Sequence, residues 1–237
     1  MSLKSKKLAN KIQNHVLDMT HNGNSSHIAS ILSIVDIISV LYESILNYEP
    51  KDPRNQKRDR FILSKGHAGA AVYAVLAEKG FFKTDILMKH CANGSFLSGH
   101  ISHKNVPGVE FSTGSLGHGL SVACGMAKYA KIEKKKHRVF TILSDGECDE
   151  GSNWESILFA SHHRLDNLIV IIDYNKLQSI DSVSDTLELE PFTKKWVAFG
   201  WEVHNLDGHN HYELTKILKK RNKINKPKCI IAHTIKG

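Results

Sequence analysis

Residues 144–178, reading SDGECDEGSNWESILFASHHRLDNLIVIIDYNKLQ, constrain the fold of this chain more tightly than any other stretch. They open with an acidic turn, Asp145-Gly146-Glu147, directly after the apolar run 139–143, and reach Asn175 directly after a second apolar run, 168–172. Short apolar runs bounded by turn residues read as buried strands. The segment between them has helical character, and a strand-helix-strand unit puts its two strands parallel. Both loops then leave the carboxyl ends of their strands. This brings Asp145 and Asn175 to one rim, although about thirty residues separate them in sequence. Open α/β sheets bind ligands at that rim.

The rest of the chain repeats the alternation. Helical periodicity runs through residues 3–19, 34–46, 68–79, 120–135, 153–161, 192–199 and 212–224, with further strand-like runs at 60–63, 201–204 and 229–232. Strands alternating with helices imply an α/β fold with a mostly parallel sheet flanked by helices. No internal repeat, low-complexity tract or linker rich in Gly, Ser or Pro divides the sequence, so residues 1–237 read as one domain. The polar stretch 179–189 reads as a long loop just beyond Asn175, able to fold over a ligand.

The chemistry that suits Asp145 and Asn175 is a hard divalent cation held against a phosphorylated ligand. Magnesium takes oxygen ligands in near-octahedral geometry, one or two from carboxylates and the rest from carbonyls, water and phosphates. Asp145 offers a carboxylate, Asn175 an amide oxygen, and the turn after it a backbone carbonyl, that of Leu177. Gly146 lets the backbone approach a phosphate closely. Taken alone, an Asp-Gly turn and a distant Asn are ordinary loop residues. The whole string is what points further.

That string resembles the thiamine diphosphate motif, a Gly-Asp-Gly followed about thirty residues later by Asn. The fuller pattern of Asp145-Gly146-Glu147, Glu150-Gly151, Trp154-Glu155 and Asp173-x-Asn175-x-x-Gln178 is similar to transketolases among the enzymes that use this cofactor. More blocks agree, in family order: Ser26-His27 with Ser33, Asp36-Ile37 and Leu41-Tyr42; the run from Asp59 through Ser64-Lys65-Gly66-His67-Ala68; Gly99-His100; and the run from Pro107 through Ser112-Thr113-Gly114-Ser115-Leu116-Gly117. Four positions depart from the family pattern. Ser144 replaces the first glycine of the motif, His118 stands where glutamine is usual, and Ala29-Ser30 stand where glycines are common.

The resemblance implies a three-layer thiamine diphosphate-binding fold and two cofactors, thiamine diphosphate and Mg2+ (or Ca2+). It implies Asp145, Asn175 and the Leu177 carbonyl as metal ligands, with Gly114, Leu116, Gly146 and Glu147 joining them around the cofactor. His27, His67 and His100 become the catalytic histidines, suited to it because imidazole can donate or accept a proton near neutral pH. Glu150 matches a family glutamate at the interface that links paired active sites; a carboxylate at a helix start is the plainer reading. The implied reaction moves a two-carbon ketol unit from a ketose or ketose phosphate to an aldose.

Transketolases carry three domains, and the resemblance covers only the first, diphosphate-binding one. The pyrimidine-binding and carboxy-terminal domains are therefore expected on a separately encoded partner, with this chain as a homodimer inside an α2β2 assembly; a truncation would look the same. One chain of a 2-oxoacid dehydrogenase or of a deoxyxylulose phosphate synthase shares the metal motif, and a non-catalytic assembly component would keep the fold.

Composition excludes other classes. A hydrophobic content of 41% suffices for a core, while no run of about eighteen apolar residues suggests a membrane span. The basic amino terminus lacks the apolar stretch of a secretory signal, which makes the cytoplasm the expected location. A net charge of +8 could suit nucleic acid, yet the basic runs 131–138 and 216–228 carry no interleaved aromatic platform. Cys91, Cys124, Cys148 and Cys229 form no Cys-x-x-Cys pair. His162-His163, His209-x-His211 and His100-x-x-His103 lack the companions a zinc site needs.

Overall fold

A computed structural model describes residues 2–237. Its centre is a five-stranded sheet of β1 (Arg60–Leu63), β2 (Val139–Ser144), β3 (Leu168–Tyr174), β4 (Glu202–Asp207) and β5 (Lys228–His233). All strands run parallel, in the order β1-β2-β3-β5-β4. Nine helices connect and flank them among the described residues: α1 (Ser2–Asn22), α2 (Ile28–Leu32), α3 (Val35–Val40), α4 (Gly69–Glu78), α5 (Gly119–Ile132), α6 (Gly151–His162), α7 (Val183–Thr186), α8 (Phe192–Ala198) and α9 (His211–Lys219).

Strands β2 and β3 are buried along their whole length because both faces of the sheet are covered there, whereas the edge strand β4 is polar and partly exposed. Along β3, Ile169 and Ile171 enter one core with Ile12, Val35, Tyr73 and Leu214, while Val170 and Ile172 enter the other with Leu120, Ile157 and Trp196. Helices α1, α3, α4 and α9 therefore cover one face, and α5, α6 and α8 cover the other. This is the expected three-layer α/β arrangement. On α1, Leu8, Ile12, Val16 and Met19 recur at helical spacing and form the buried stripe.

Several boundaries differ from the sequence expectation. The 34–46 helix breaks after Val40 into a wide helical turn, Leu41–Ile45. Helix α9 stops at Lys219 rather than 224, ahead of the turn that leads through Asn225 to Pro227. Strand β4 continues to Asp207 because it pairs with β5 along its whole length. The 179–189 loop contains α7, whose first turn is capped by Ser182 accepting from the Asp185 amide. Although it is no unbroken apolar run, Ile28–Ile45 has a mean hydropathy of 1.8 over 18 residues, enough for a membrane span by length and composition alone. The stretch is instead broken into α2, α3 and the wide turn, and 61% of it is buried inside the fold, so its apolar character is that of a core segment.

Ile171 is fully buried on the central strand. Ile171→Ala is expected to lower stability by about 2–5 kcal/mol through lost burial and a residual cavity, measured as the shift in urea midpoint at constant slope.

Candidate functional site

The register of the sheet settles where the two loops lie. Ser144 is paired with Asp173, so the turns after β2 and β3 leave side by side at the carboxyl end. They touch there: Asp145 Oδ2 accepts from the Lys176 amide at 2.6 Å, and Oδ1 accepts from the Gly146 amide at 2.8 Å. Asn175 Oδ1 accepts from the Leu177 amide at 3.0 Å, and its Nδ2 donates to Asp173 Oδ2 at 3.2 Å. Asp145 is 1% exposed. Burial, with Asp173 nearby, pushes its carboxyl up to about 6 against the pull of the two amides.

Beneath this rim lies a buried ion pair that sequence reasoning left without a role. Lys65 from the turn after β1 and Asp173 from the end of β3 are both fully buried and bonded to each other. Asp173 also accepts from Ser33 Oγ at 2.6 Å and Thr234 Oγ1 at 2.5 Å. Burial alone would push the Asp173 carboxyl up, but the Lys65 ammonium and these donors hold it below the usual carboxylate range. The only sequence trace was the Ser64-Lys65-Gly66-His67 run, whose lysine could have been paired with the motif's Asp173.

A second buried carboxylate, Glu147, ties the loops from below. It accepts from Ser64 Oγ, from the Gly117 amide at 3.0 Å and from the Ser144 amide at 3.3 Å. Glu147 is fully buried, and burial raises its carboxyl despite these bonds. The loops themselves are stitched together: Ile101 N donates to the Gly66 carbonyl at 2.9 Å, and Thr113 Oγ1 donates to the Leu63 carbonyl at 2.5 Å. A side chain at Gly66 would place its Cβ 2.4 Å from the Thr113 carbonyl oxygen, so only glycine permits this crossing. Gly117, at φ 82°, turns the chain into α5. Leu116 is half-buried beside it, and Gly114 lies against the His100 ring.

The three histidines converge although they come from three separate loops. The His27 ring centroid is 5.3 Å from that of His67 and 5.5 Å from that of His100. His27 and His100 are exposed, and His67 is half-buried. His27 holds a left-handed backbone, φ 74°, at the start of α2, a conformation uncommon for residues with a side chain. Burial, then Lys65, His27 and His100, lower the His67 imidazole to about 3. Burial, then His100 and the ammoniums of Lys236 and Lys65, also lower His27.

Lys236, a second residue the sequence reading passed over, donates from Nζ to the carbonyls of Leu177 at 3.0 Å and Gln178 at 2.9 Å. Cys148 is buried with its thiol pushed well up, which makes it inert. Trp154 serves packing: its Nε1 donates to the Cys148 carbonyl at 2.8 Å, and its ring lies against Phe192, Trp196 and Phe199. Among the described residues, no three His, Cys, Asp or Glu side chains are grouped as a metal ion would need.

This geometry, a parallel sheet with an acidic turn and an Asn loop side by side and an imidazole cluster on the same edge, is that of an α/β protein with a ligand-binding rim at the carboxyl ends of its strands. The family described as transketolase, thiamine diphosphate binding domain, matches residues 4–237. The 6-deoxy-6-sulfo-D-fructose transketolase subunit SqwG of Clostridium sp. is 39% identical, over 97% of this chain and 84% of that protein. An apulose-4-phosphate transketolase subunit of Actinobacillus succinogenes is 43% identical, over 91% and 79%. The crystal structure of transketolase from Campylobacter jejuni superposes with a TM-score of 0.92 at 32% identity, over 98% of this chain but 38% of that one. The chain belongs to the transketolase family. It is the amino-terminal, thiamine diphosphate-binding component of a transketolase, a transferase.

The buried groups set how the fold responds to pH and to the loss of a charge. Folded His67 refuses a proton that the unfolded chain takes below about 6.5, so this part of the stability is present above pH 6.5 and is lost as pH falls toward 3. Between pH 7 and pH 5 the wild type is expected to lose about 2 kcal/mol more than His67→Gln, read from urea unfolding at each pH. Lys65→Met leaves the Asp173 carboxylate buried without its cation and is expected to cost about 3–5 kcal/mol, visible in the same unfolding measurement at pH 7.

Proposed function

We propose that this chain is the diphosphate-binding subunit of a split transketolase that requires Mg2+ (or Ca2+) and a separately encoded partner carrying the pyrimidine-binding domain. What carries this reading is the convergence, on one edge of one sheet, of a cation-seeking oxygen set with three imidazoles.

The donor chemistry fits a hard divalent ion. The Leu177 and Gln178 carbonyls already converge on one ammonium, that of Lys236. Each Asp145 oxygen accepts a single amide and keeps a lone pair, and no Lys, Arg or His among the described residues is bonded to it. A buried carboxylate without a cation is a costly group unless one is supplied. Asp145, the Asn175 amide oxygen and the Leu177 carbonyl would hold the metal, with Gly146, Gly114 and Leu116 lining the cofactor and Glu147 holding their loops in place.

When bound, thiamine diphosphate supplies the carbon nucleophile and the electron sink for a two-carbon unit. The protein's part is to orient and to move protons. His67 remains neutral at pH 7 and donates or accepts without adding charge to the site. His27 and His100, both exposed, handle the hydroxyl protons of the ketose or ketose phosphate. An exposed face on α5 and α6, including Tyr129, Leu158 and Phe159, supports pairing of two copies of this chain within an α2β2 assembly. A cytoplasmic location completes the reading.

Asp145→Ala is expected to abolish magnesium-dependent binding of thiamine diphosphate, as measured by titration calorimetry; retained affinity rules out this metal site. With the co-purified partner added, ketol transfer from a ketose donor to an aldose is the expected activity. Carbon dioxide release from a 2-oxoacid in its place overturns the transketolase assignment.

A further inference from the structure

The sequence around Asp207-Gly208-His209-Asn210-His211 has no part in the site described above, yet the structure connects it to the rim. Both histidines close on one carboxylate: His209 Nδ1 and His211 Nε2 each lie 2.7 Å from an oxygen of Asp36 on α3. His211 is buried, and its other nitrogen is 2.7 Å from Ser5 Oγ on α1. The second nitrogen of His209 does something different. Its Nε2 accepts from the backbone amide of Ile235 at 3.0 Å. That bond fixes the tautomer, because a nitrogen accepting from an amide carries no proton, so Nδ1 is the protonated nitrogen and donates to Asp36.

Ile235 belongs to the segment that leaves β5 and crosses the rim. Thr234 is held on one side by Tyr174 and Asp173, and Lys236 reaches the Leu177 and Gln178 carbonyls on the other. Between them the Ile235 side chain is 75% exposed and anchors nothing. The course of the chain between Thr234 and Lys236 is therefore set by one backbone bond, and that bond ends on His209. Lys236 in turn lies close enough to His27 for its charge to act on the imidazole. Gly208 lets the two segments meet: a Cβ there would sit 2.4 Å from the Thr234 methyl carbon.

We propose that His209, oriented by Asp36, is a positioning residue for the cofactor rim: it holds the Ile235 amide and so sets the Lys236 ammonium beside Leu177, Gln178 and His27. The proposal rests on the reading of this rim as the thiamine diphosphate site. Carboxylates that orient metal-ligating imidazoles are a recurring device whose loss costs about tenfold or more in metal affinity, and Asp36 orients His209 in the same way toward a backbone amide.

Two substitutions separate the two ends of the ring. His209→Asn keeps a donor for Asp36 but cannot reach the Ile235 amide; His209→Gln places an acceptor near that amide. The measurements are hydrogen exchange at the Ile235 amide in the cofactor-free full chain and the Kd for thiamine diphosphate at saturating Mg2+. Expected are faster exchange and about tenfold weaker binding in His209→Asn, with both largely restored in His209→Gln. Combining His209→Asn with Lys236→Met is expected to weaken binding no further than Lys236→Met alone, since both act through one ammonium. Unchanged exchange in His209→Asn overturns the latch. Faster exchange with unchanged affinity overturns its link to the cofactor. A wild-type chain that binds no thiamine diphosphate even with its partner present sinks the site assignment, while the exchange comparison still decides whether His209 holds the segment.

Discussion

The buried pair of Lys65 and Asp173 is the interaction around which the rim is assembled. Burying two charges costs more than their attraction returns unless further hydrogen bonds complete the set, and here they do. Ser33 between α2 and α3, Asn175 beyond β3 and Thr234 beyond β5 all donate to Asp173, while Lys65 donates to the Ser30 carbonyl. Segments far apart in sequence thus share one carboxylate. A shift of any of them would leave a charge unpaired in the interior, so the pair fixes their mutual register more sharply than apolar packing, which tolerates sliding.

Three carboxylates within this small volume are set apart by their surroundings. Asp173 is fully compensated and held ionised; Glu147 is closed off, accepting from Ser64 and from the amides of Gly117 and Ser144. Asp145 accepts one amide on each oxygen, with no cation bonded to it and no hydroxyl closing it off. Environments that push neighbouring acids apart assign them different tasks, and only Asp145 combines a raised carboxyl with free lone pairs at the rim. The same logic separates the histidines: His67 is kept neutral by burial and then by the Lys65 ammonium, whereas His27 and His100 are exposed.

Much of this was legible in the sequence because it is local. The strand-like runs marked all five strands, and the Asp-Gly turn and the Asn marked the rim. Their proximity followed from the parallel connection alone. The resemblance supplied the three histidines, and the structure brought them together. What stayed hidden depends on pairings across long stretches of chain. Lys65 was visible only as one member of a Ser-Lys-Gly-His run, and nothing in that run names Asp173 as its partner. His209 and His211 looked like a possible metal pair because the spacing does not reveal that Asp36 and Ser5, both on other helices, take up their nitrogens. The π-like widening after Val40 and the early end of α9 were likewise decided by packing rather than by periodicity.

The rim is held unevenly, and the unevenness has a direction. Its floor is pinned by fully buried groups, Lys65, Asp173 and Glu147, whose loss would expose the interior to unpaired charge. Its far edge, the segment through Ile235 and Lys236, is held by hydrogen bonds at partly exposed positions, with no apolar anchor at Ile235. Bonds of the second kind open at far lower free energy than the buried core. A rim with this division keeps the turns after β2 and β3, proposed above to hold a metal, bound to the rigid floor, and carries the Lys236 ammonium on the lightly held edge.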